Sequence, residues 1–144
     1  MIFVLGPPER TRLELAQELM SAGYSENLLI STPEFGWRYR AEGIGLCTVP
    51  QEFSVTCLQS DPFTTQGEVG ALEKISLERG WETAILITFK PHVTRTQLYL
   101  DRCFSGDAEV IYDDAPITTR GAVYQYGYQT GAFAKAFTQT RGCV

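Results

Sequence analysis

The chain has 144 residues, of which 44% are hydrophobic and 12% aromatic, a size and composition typical of one domain with its own core. Its formal net charge of -5 argues against nucleic acid or an anionic membrane surface as the main partner, because either would favour a basic face. A small anionic ligand stays compatible with this charge, since a local pair of basic residues outweighs distant, screened carboxylates.

Short apolar runs alternate with longer amphipathic ones along the chain, a rhythm typical of βαβ units around a parallel sheet. Each apolar run is too short for an independent helix and is bounded by Gly, Pro, Ser or Asp. Strands are therefore predicted at residues 2–5, 28–30, 54–58, 84–87 and 109–112. The sequence predicts a single Rossmann-like α/β domain over residues 1–144, with three layers and a mainly parallel five-stranded sheet in the order 3-2-1-4-5.

Helices are predicted between these strands. Apolar residues recur at helical spacing after the first strand, and Gly23 follows them as a C-terminal cap. A second helix is predicted at residues 66–79, and a third from Pro91, a residue favoured at the first helical position. The segment from residue 31 to 53 is harder to interpret. Residues 31–34 resemble a capping box, which predicts a short helix carrying Trp37 and Tyr39.

A last helix is predicted at residues 122–137, where Gly127 and Gly131 are unexpected. Each glycine costs about 1 kcal/mol relative to alanine in a helix interior. Their spacing of four predicts close packing of this helix against a neighbouring backbone.

The four cysteines, Cys47, Cys57, Cys103 and Cys143, lie far apart, and none has the spacing of a zinc or redox motif. They are predicted to be free thiols in a reducing compartment. Residues 2–5 are apolar, but the run is far shorter than the roughly 20 residues of a membrane span, and no basic region precedes a signal-peptide core. A cytoplasmic location is expected, with no membrane span.

Ligands of open parallel sheets bind beyond the carboxyl ends of the strands, where the strand order reverses. The first loop there begins at Gly6, but it has one glycine and two prolines and so lacks the dinucleotide fingerprint. Gly6 would let a ligand approach the backbone. Arg10 or Arg12 would reach a phosphate, although solvated arginines at a helix start explain the pattern equally well.

The second loop opens a helix, whose free N–H groups favour an anion. Thr64 and Thr65 are candidate ligand-binding residues. Glu68 is a candidate catalytic residue, but Thr65 and Glu68 also fit a capping box in which the threonine caps the helix and the glutamate binds the N–H of the cap residue.

The third loop holds Thr88 and His92, and Arg95 lies three residues further on, on the same helical face. A histidine at a helix N-terminus is disfavoured as a cation, so it is either neutral or paired with an anion. A bound phosphate or carboxylate would explain both His92 and Arg95. The alternative is that His92 closes the loop and Arg95 pairs with a carboxylate such as Glu68.

The chain resembles the YdcF-like family, which includes SanA-like and ElyC-like bacterial envelope proteins. The resemblance is carried by three segments in the same order along the chain: residues 2–6, residues 64–68, and Ile87-Thr88 followed by His92 and Arg95. The resemblance implies a Rossmann-like sheet and marks Thr65, His92 and Arg95 as site residues. The chain departs from the family at Phe89, where a small residue is usual, and at Gln129, where relatives often have glutamate.

These observations predict a protein that binds a small phosphorylated or nucleotide-like ligand, with Arg95 holding the anion and His92 as an acid or base. The resemblance implies a hydrolase or transferase linked to cell-envelope metabolism. The alternative is a non-catalytic ligand sensor or scaffold that uses the same pocket. No motif requires a cofactor or a metal, and the sequence leaves the ligand, the reaction and the oligomeric state open.

Overall fold

A computed structural model of the chain describes residues 1–34 and 39–144. Within these ranges five strands form one sheet in which every neighbouring pair is parallel, in the order β3-β2-β1-β4-β5. The strands are β1 Ile2–Val4, β2 Asn27–Ser31, β3 Ser54–Leu58, β4 Thr83–Phe89 and β5 Asp107–Asp113. The predicted α/β class, the Rossmann-like architecture and the strand order are confirmed.

The α-helices of the described residues are α1 Arg10–Ser21, α2 Gly45–Thr48, α3 Thr65–Arg79, α4 Val93–Cys103 and α5 Thr119–Thr138. Gly23 and Gly80 follow α1 and α3 with φ of +81° and +69°, the left-handed conformation that ends a helix. Pro91 lies in a 3-10 turn, Lys90–His92, so α4 begins two residues later than predicted.

The side chains of β1 alternate between the two faces of the sheet, as the period of a strand requires. Phe3 belongs to a buried cluster that includes Leu72 of α3, Leu100 of α4 and Ala136 of α5. The opposite face carries Ile2 and Val4, which cluster with Ala16 and Met20 of α1, with Leu46 of α2 and with Ile44, the residue before α2. Helices therefore cover both faces of the sheet, which gives the three layers.

The predicted capping box at residues 31–34 is wrong. Ser31 is the last residue of β2, and the backbone N–H and hydroxyl of Thr32 both donate to the Leu58 carbonyl, at 2.8 and 3.1 Å. Pairing with the neighbouring strand therefore continues past β2, where a helix was expected. Trp37 lies outside the described residues, and the Tyr39 hydroxyl donates to Glu9 Oε1 at 2.6 Å.

The prediction that Gly127 and Gly131 pack against a neighbouring backbone is also wrong. A methyl group built on either glycine would meet no atom of the described residues within 4 Å. The two glycines face open space, and both line a cleft at the carboxyl ends of β1 and β4.

The prediction of free thiols is contradicted by two disulfides, Cys47–Cys57 and Cys103–Cys143. The first joins α2 to β3, and the second joins the end of α4 to the C-terminal segment. Both pairs are brought together by the tertiary fold, which sequence spacing does not reveal. None of the helices in the described part of the chain is both long and apolar enough to cross a membrane.

Candidate functional site

A cleft of about 980 Å³ opens at the carboxyl ends of β1 and β4, where the strand order reverses. Its floor and sides come from the loop after β1, the start of α3, and the turn between β4 and α4. Helix α5 supplies the remaining wall. Its lining includes Gly6, Thr64, Thr65, Glu68, Phe89, His92, Arg95, Tyr128, Gly131 and Lys135.

His92 lies at the base of this cleft and is 4% exposed. The end of β4 and the 3-10 turn place its ring against Phe89, with the ring centroids 5.4 Å apart. Burial, followed by the charges of Arg95 and Arg12, lowers the pKa of His92 to about 3. The imidazole is therefore neutral at physiological pH.

Both ring nitrogens of His92 bind threonine hydroxyls. Nε2 is 2.9 Å from Thr65 Oγ1, and Nδ1 is 2.8 Å from Thr88 Oγ1. Thr96 Oγ1 lies further from Nδ1, at 3.4 Å. A neutral imidazole has one donor and one acceptor nitrogen. When Nδ1 carries the proton, Nε2 accepts the hydrogen bond of Thr65.

The helix cap of α3 is Thr64, one residue earlier than the capping box predicted. Thr64 Oγ1 accepts from the backbone N–H of Gly67 at 3.2 Å, and Thr65 is the first helical residue. Because the cap is supplied by Thr64, the Thr65 hydroxyl is available to His92. A Cβ on Gly67 would lie 2.0 Å from the Pro62 carbonyl oxygen, so this turn requires glycine.

Glu68 does not reach back to the helix cap. Its Oε1 accepts from the backbone N–H of Gly6 at 2.7 Å, which ties the start of α3 to the loop after β1. Complete burial raises the pKa of Glu68 to about 7, although Gly6, the Ser31 hydroxyl and the charges of Arg95 and Arg12 oppose that rise. The carboxyl group is therefore partly protonated at neutral pH.

Arg95 is partly buried in the first turn of α4 and lines the cleft. Its guanidinium carbon lies 5.7 Å from the ring centroid of Tyr128 on α5. Within the described ranges, its buried Nε has no hydrogen-bond partner and no carboxylate forms a salt bridge with the side chain. The pairing of Arg95 with Glu68, weighed above as an alternative, is thus not observed.

Arg10 lies outside the cleft. Its Nε is 2.7 Å from Glu14 Oε1 one helical turn away, the side chain is 88% exposed, and it lines a separate cleft of about 500 Å³. Arg12 is buried instead, where it donates to the Leu5 carbonyl and lies 3.7 Å from Asp113 Oδ2. Its charge contributes to the lowered pKa of His92 and opposes the rise in the pKa of Glu68.

Gly6 lies in the wall of the cleft, where a Cβ would come within 2.4 Å of the Phe63 ring. Thr88 is fully buried beneath His92. The structure therefore brings together Gly6, Thr64, Thr65, Glu68, Thr88, His92 and Arg95 and leaves Arg10 aside.

Sequence reasoning missed the contribution of α5, which brings Tyr128 and Lys135 to the cleft. Its helical periodicity was visible, but its position over the carboxyl edge of the sheet was not. Gln129 of the same helix is 7% exposed. Gln129 Nε2 donates to Gln125 Oε1 at 3.4 Å.

No cluster of three or more His, Cys, Asp and Glu residues within the described ranges is arranged to hold a metal ion. Comparisons with protein-family models, curated proteins and solved structures found no match to this chain.

Proposed function

We propose that the protein binds a small phosphate-bearing or nucleotide-like anion in the cleft between β1 and β4. The observation that carries this proposal is the Arg95 guanidinium, whose Nε is buried without a hydrogen-bond partner among the described residues. A buried donor without a partner costs about 1–3 kcal/mol, and more when it is charged. The Arg95 side chain also lines the cleft and forms no salt bridge with a carboxylate of the described residues, so its charge is available to an anion bound there.

Two further features favour an anion over a neutral ligand. The first turn of α3 borders the cleft, and the N–H groups of a helix N-terminus attract negative charge. Lys135 of α5 adds a second cation to the wall. Glu68 opposes these charges only in part, because burial raises its pKa to about 7.

The YdcF-like relationship is part of the same proposal. It rests on the three segments of the sequence that carry the resemblance, and it supplies the expectation of a hydrolase or transferase acting on cell-envelope precursors.

The two disulfides favour an oxidising compartment over the cytoplasm that the sequence predicted, since disulfides persist in secreted and periplasmic proteins.

A thermal-shift and calorimetric titration with inorganic phosphate, pyrophosphate, sugar phosphates and nucleotides tests the proposal. An anion at about 100 times its dissociation constant should stabilise the folded protein by roughly 2.7 kcal/mol, a shift of several degrees. Arg95→Ala should abolish the shift. The matched control Arg10→Ala removes an arginine outside the cleft and should keep it. The proposal fails if none of these anions shifts the wild type.

The competing function, a sensor or scaffold without catalysis, is separated by turnover. An enzyme should lose turnover in His92→Ala while its ligand still binds, whereas a binding module should show no turnover with any ligand that it binds.

A further inference from the structure

His92 has no ring nitrogen left for a ligand, because Thr65 and Thr88 occupy Nε2 and Nδ1 at 2.9 and 2.8 Å. In the unreacted protein, His92 therefore contacts a bound molecule only through one of these hydroxyls. Thr88 is fully buried at the end of β4, whereas Thr65 lines the cleft. Thr65 is the group through which His92 acts on a bound molecule.

Thr65 also occupies the position where developing negative charge is best stabilised. It is the first residue of α3, and the positive end of the helix dipole stabilises negative charge there. Arg95 lines the same cleft. A hydroxyl hydrogen-bonded to a base, with the base held by a third group, is the geometric signature of an activated nucleophile.

We propose that the Thr65 hydroxyl is the nucleophile of a phosphoryl-transfer reaction, with His92 as its general base and Thr88 as the residue that positions His92. The substrate class is a phosphate ester or anhydride, so this inference rests on the proposed anion-binding function. It assigns a covalent step to the cleft, which anion binding alone does not require.

In that step a bond forms between Thr65 Oγ1 and phosphorus while the bond from phosphorus to the leaving oxygen breaks. The hydroxyl proton passes to His92 Nε2 and from there to the leaving oxygen. Water then attacks phosphorus, and its proton passes to His92 and on to Oγ1 as the threonine is released. If an acceptor hydroxyl attacks instead of water, the phosphoryl group is transferred. Neither route involves an oxidant or a reductant.

Thr88 acts through His92 and does not touch the substrate. The reaction needs Nε2 as the acceptor, which requires the proton on Nδ1, and Thr88 Oγ1 accepts that N–H. Thr88→Val should slow the covalent step, and Thr88→Ser, which restores the hydroxyl, should recover it. If Thr88 only filled space, valine, which has nearly the same shape as threonine, would preserve the reaction rate better than serine.

The test uses a neutral probe, diethyl p-nitrophenyl phosphate, because its reaction does not depend on the anion site. Wild-type protein should release p-nitrophenol and carry one diethylphosphoryl group on Thr65, located by mass spectrometry of its peptides. Thr65→Ser should still be labelled and Thr65→Val should not. His92→Gln should slow labelling by about 100-fold or more. The control variant Thr94→Val changes an exposed threonine of α4 that does not line the cleft, so it should still be labelled.

Failure of this inference and failure of the proposed function give different results. Phosphate binding without a label on Thr65 overturns the nucleophile and leaves the anion site standing. The opposite result is a label on Thr65 that is lost in Thr65→Val, while none of the anions stabilises the wild-type protein. That result supports Thr65 as the nucleophile and overturns the anion site. A label that persists in Thr65→Val places the reaction elsewhere and overturns the inference.

Discussion

The pKa of Glu68 is set by the surroundings of its side chain. Its carboxyl group is fully buried between the loop after β1 and the start of α3, and it accepts the Gly6 N–H at 2.7 Å. The Gly6 N–H, the Ser31 hydroxyl and the charges of Arg95 and Arg12 do not compensate for lost hydration, so its pKa rises from 4.5 to about 7. The group thereby holds a hydrogen bond without adding a full negative charge to the cleft.

This shift makes stability depend on pH in a defined direction. The folded pKa lies above the unfolded value of 4.5, so the unfolded chain loses its proton first as pH rises. The free energy of unfolding should therefore fall between pH 4.5 and about 7 and change no further from this group above that range. Glu68→Gln, which keeps the acceptor for Gly6, should remove this dependence and gain on the order of 3 kcal/mol over wild type at pH 8.

Urea unfolding of both proteins at pH 5 and pH 8 measures the effect. Glu78→Gln is the control, because Glu78 is an exposed residue of the same helix and its replacement should change the free energy of unfolding by no more than about 0.5 kcal/mol. If the free energy of unfolding of Glu68→Gln depended on pH as it does in wild type, the raised pKa of Glu68 would be contradicted.

The residues of the site were largely visible in the sequence, but their hydrogen bonds were not. Two adjacent threonines followed by Gly67 and Glu68 allow the cap at either position, and the structure uses Thr64. This one-residue difference turns Thr65 from a helix cap into the partner of His92. Spacing along the chain cannot distinguish the two, because the choice depends on what the tertiary fold places beside each hydroxyl.

At the scale of elements, α5 is the part that sequence reasoning located but interpreted wrongly. Thr118 caps it by accepting the Gly121 N–H at 3.1 Å, which extends the helix three residues before the predicted start. Its glycines were expected to allow close packing, since in a helix interior they otherwise only reduce stability. They instead leave room in the wall of the cleft.

Gly131→Leu tests this interpretation of α5. The side chain meets open space and has a better helix propensity than glycine, so the free energy of unfolding should rise by about 0.5–1 kcal/mol. The same side chain enters the cleft and should weaken binding of nucleotides more than that of inorganic phosphate. Thr130→Leu, at an exposed neighbouring position that does not line the cleft, should leave both affinities unchanged. Loss of stability in Gly131→Leu would restore the close-packing interpretation.

For the whole molecule, the fold was predictable because strand and helix patterns alternate five times, and a parallel sheet follows from that rhythm. The covalent links were not predictable, since each cysteine pair joins elements that meet only in the folded state. Cys47 and Cys57 lie on α2 and β3, and Cys103 and Cys143 lie 40 residues apart. A disulfide stabilises mainly by restricting the unfolded chain, and more so when it closes a longer loop.

Removal of the two disulfides should therefore have unequal effects. The loop-entropy relation gives about 4 kcal/mol for the 40-residue separation of Cys103–Cys143 and about 3 kcal/mol for the 10-residue separation of Cys47–Cys57. Paired Cys→Ala variants of each, unfolded in urea without reductant, should lose free energy of unfolding in that order, and dithiothreitol should narrow the difference from wild type.

Thiol titration of the denatured wild-type protein, purified from an oxidising compartment, provides the direct check of the two disulfides. All four cysteines should be unreactive, because both pairs are bonded. Four reactive thiols would restore the reducing environment that the sequence predicted and remove the argument for an oxidising compartment.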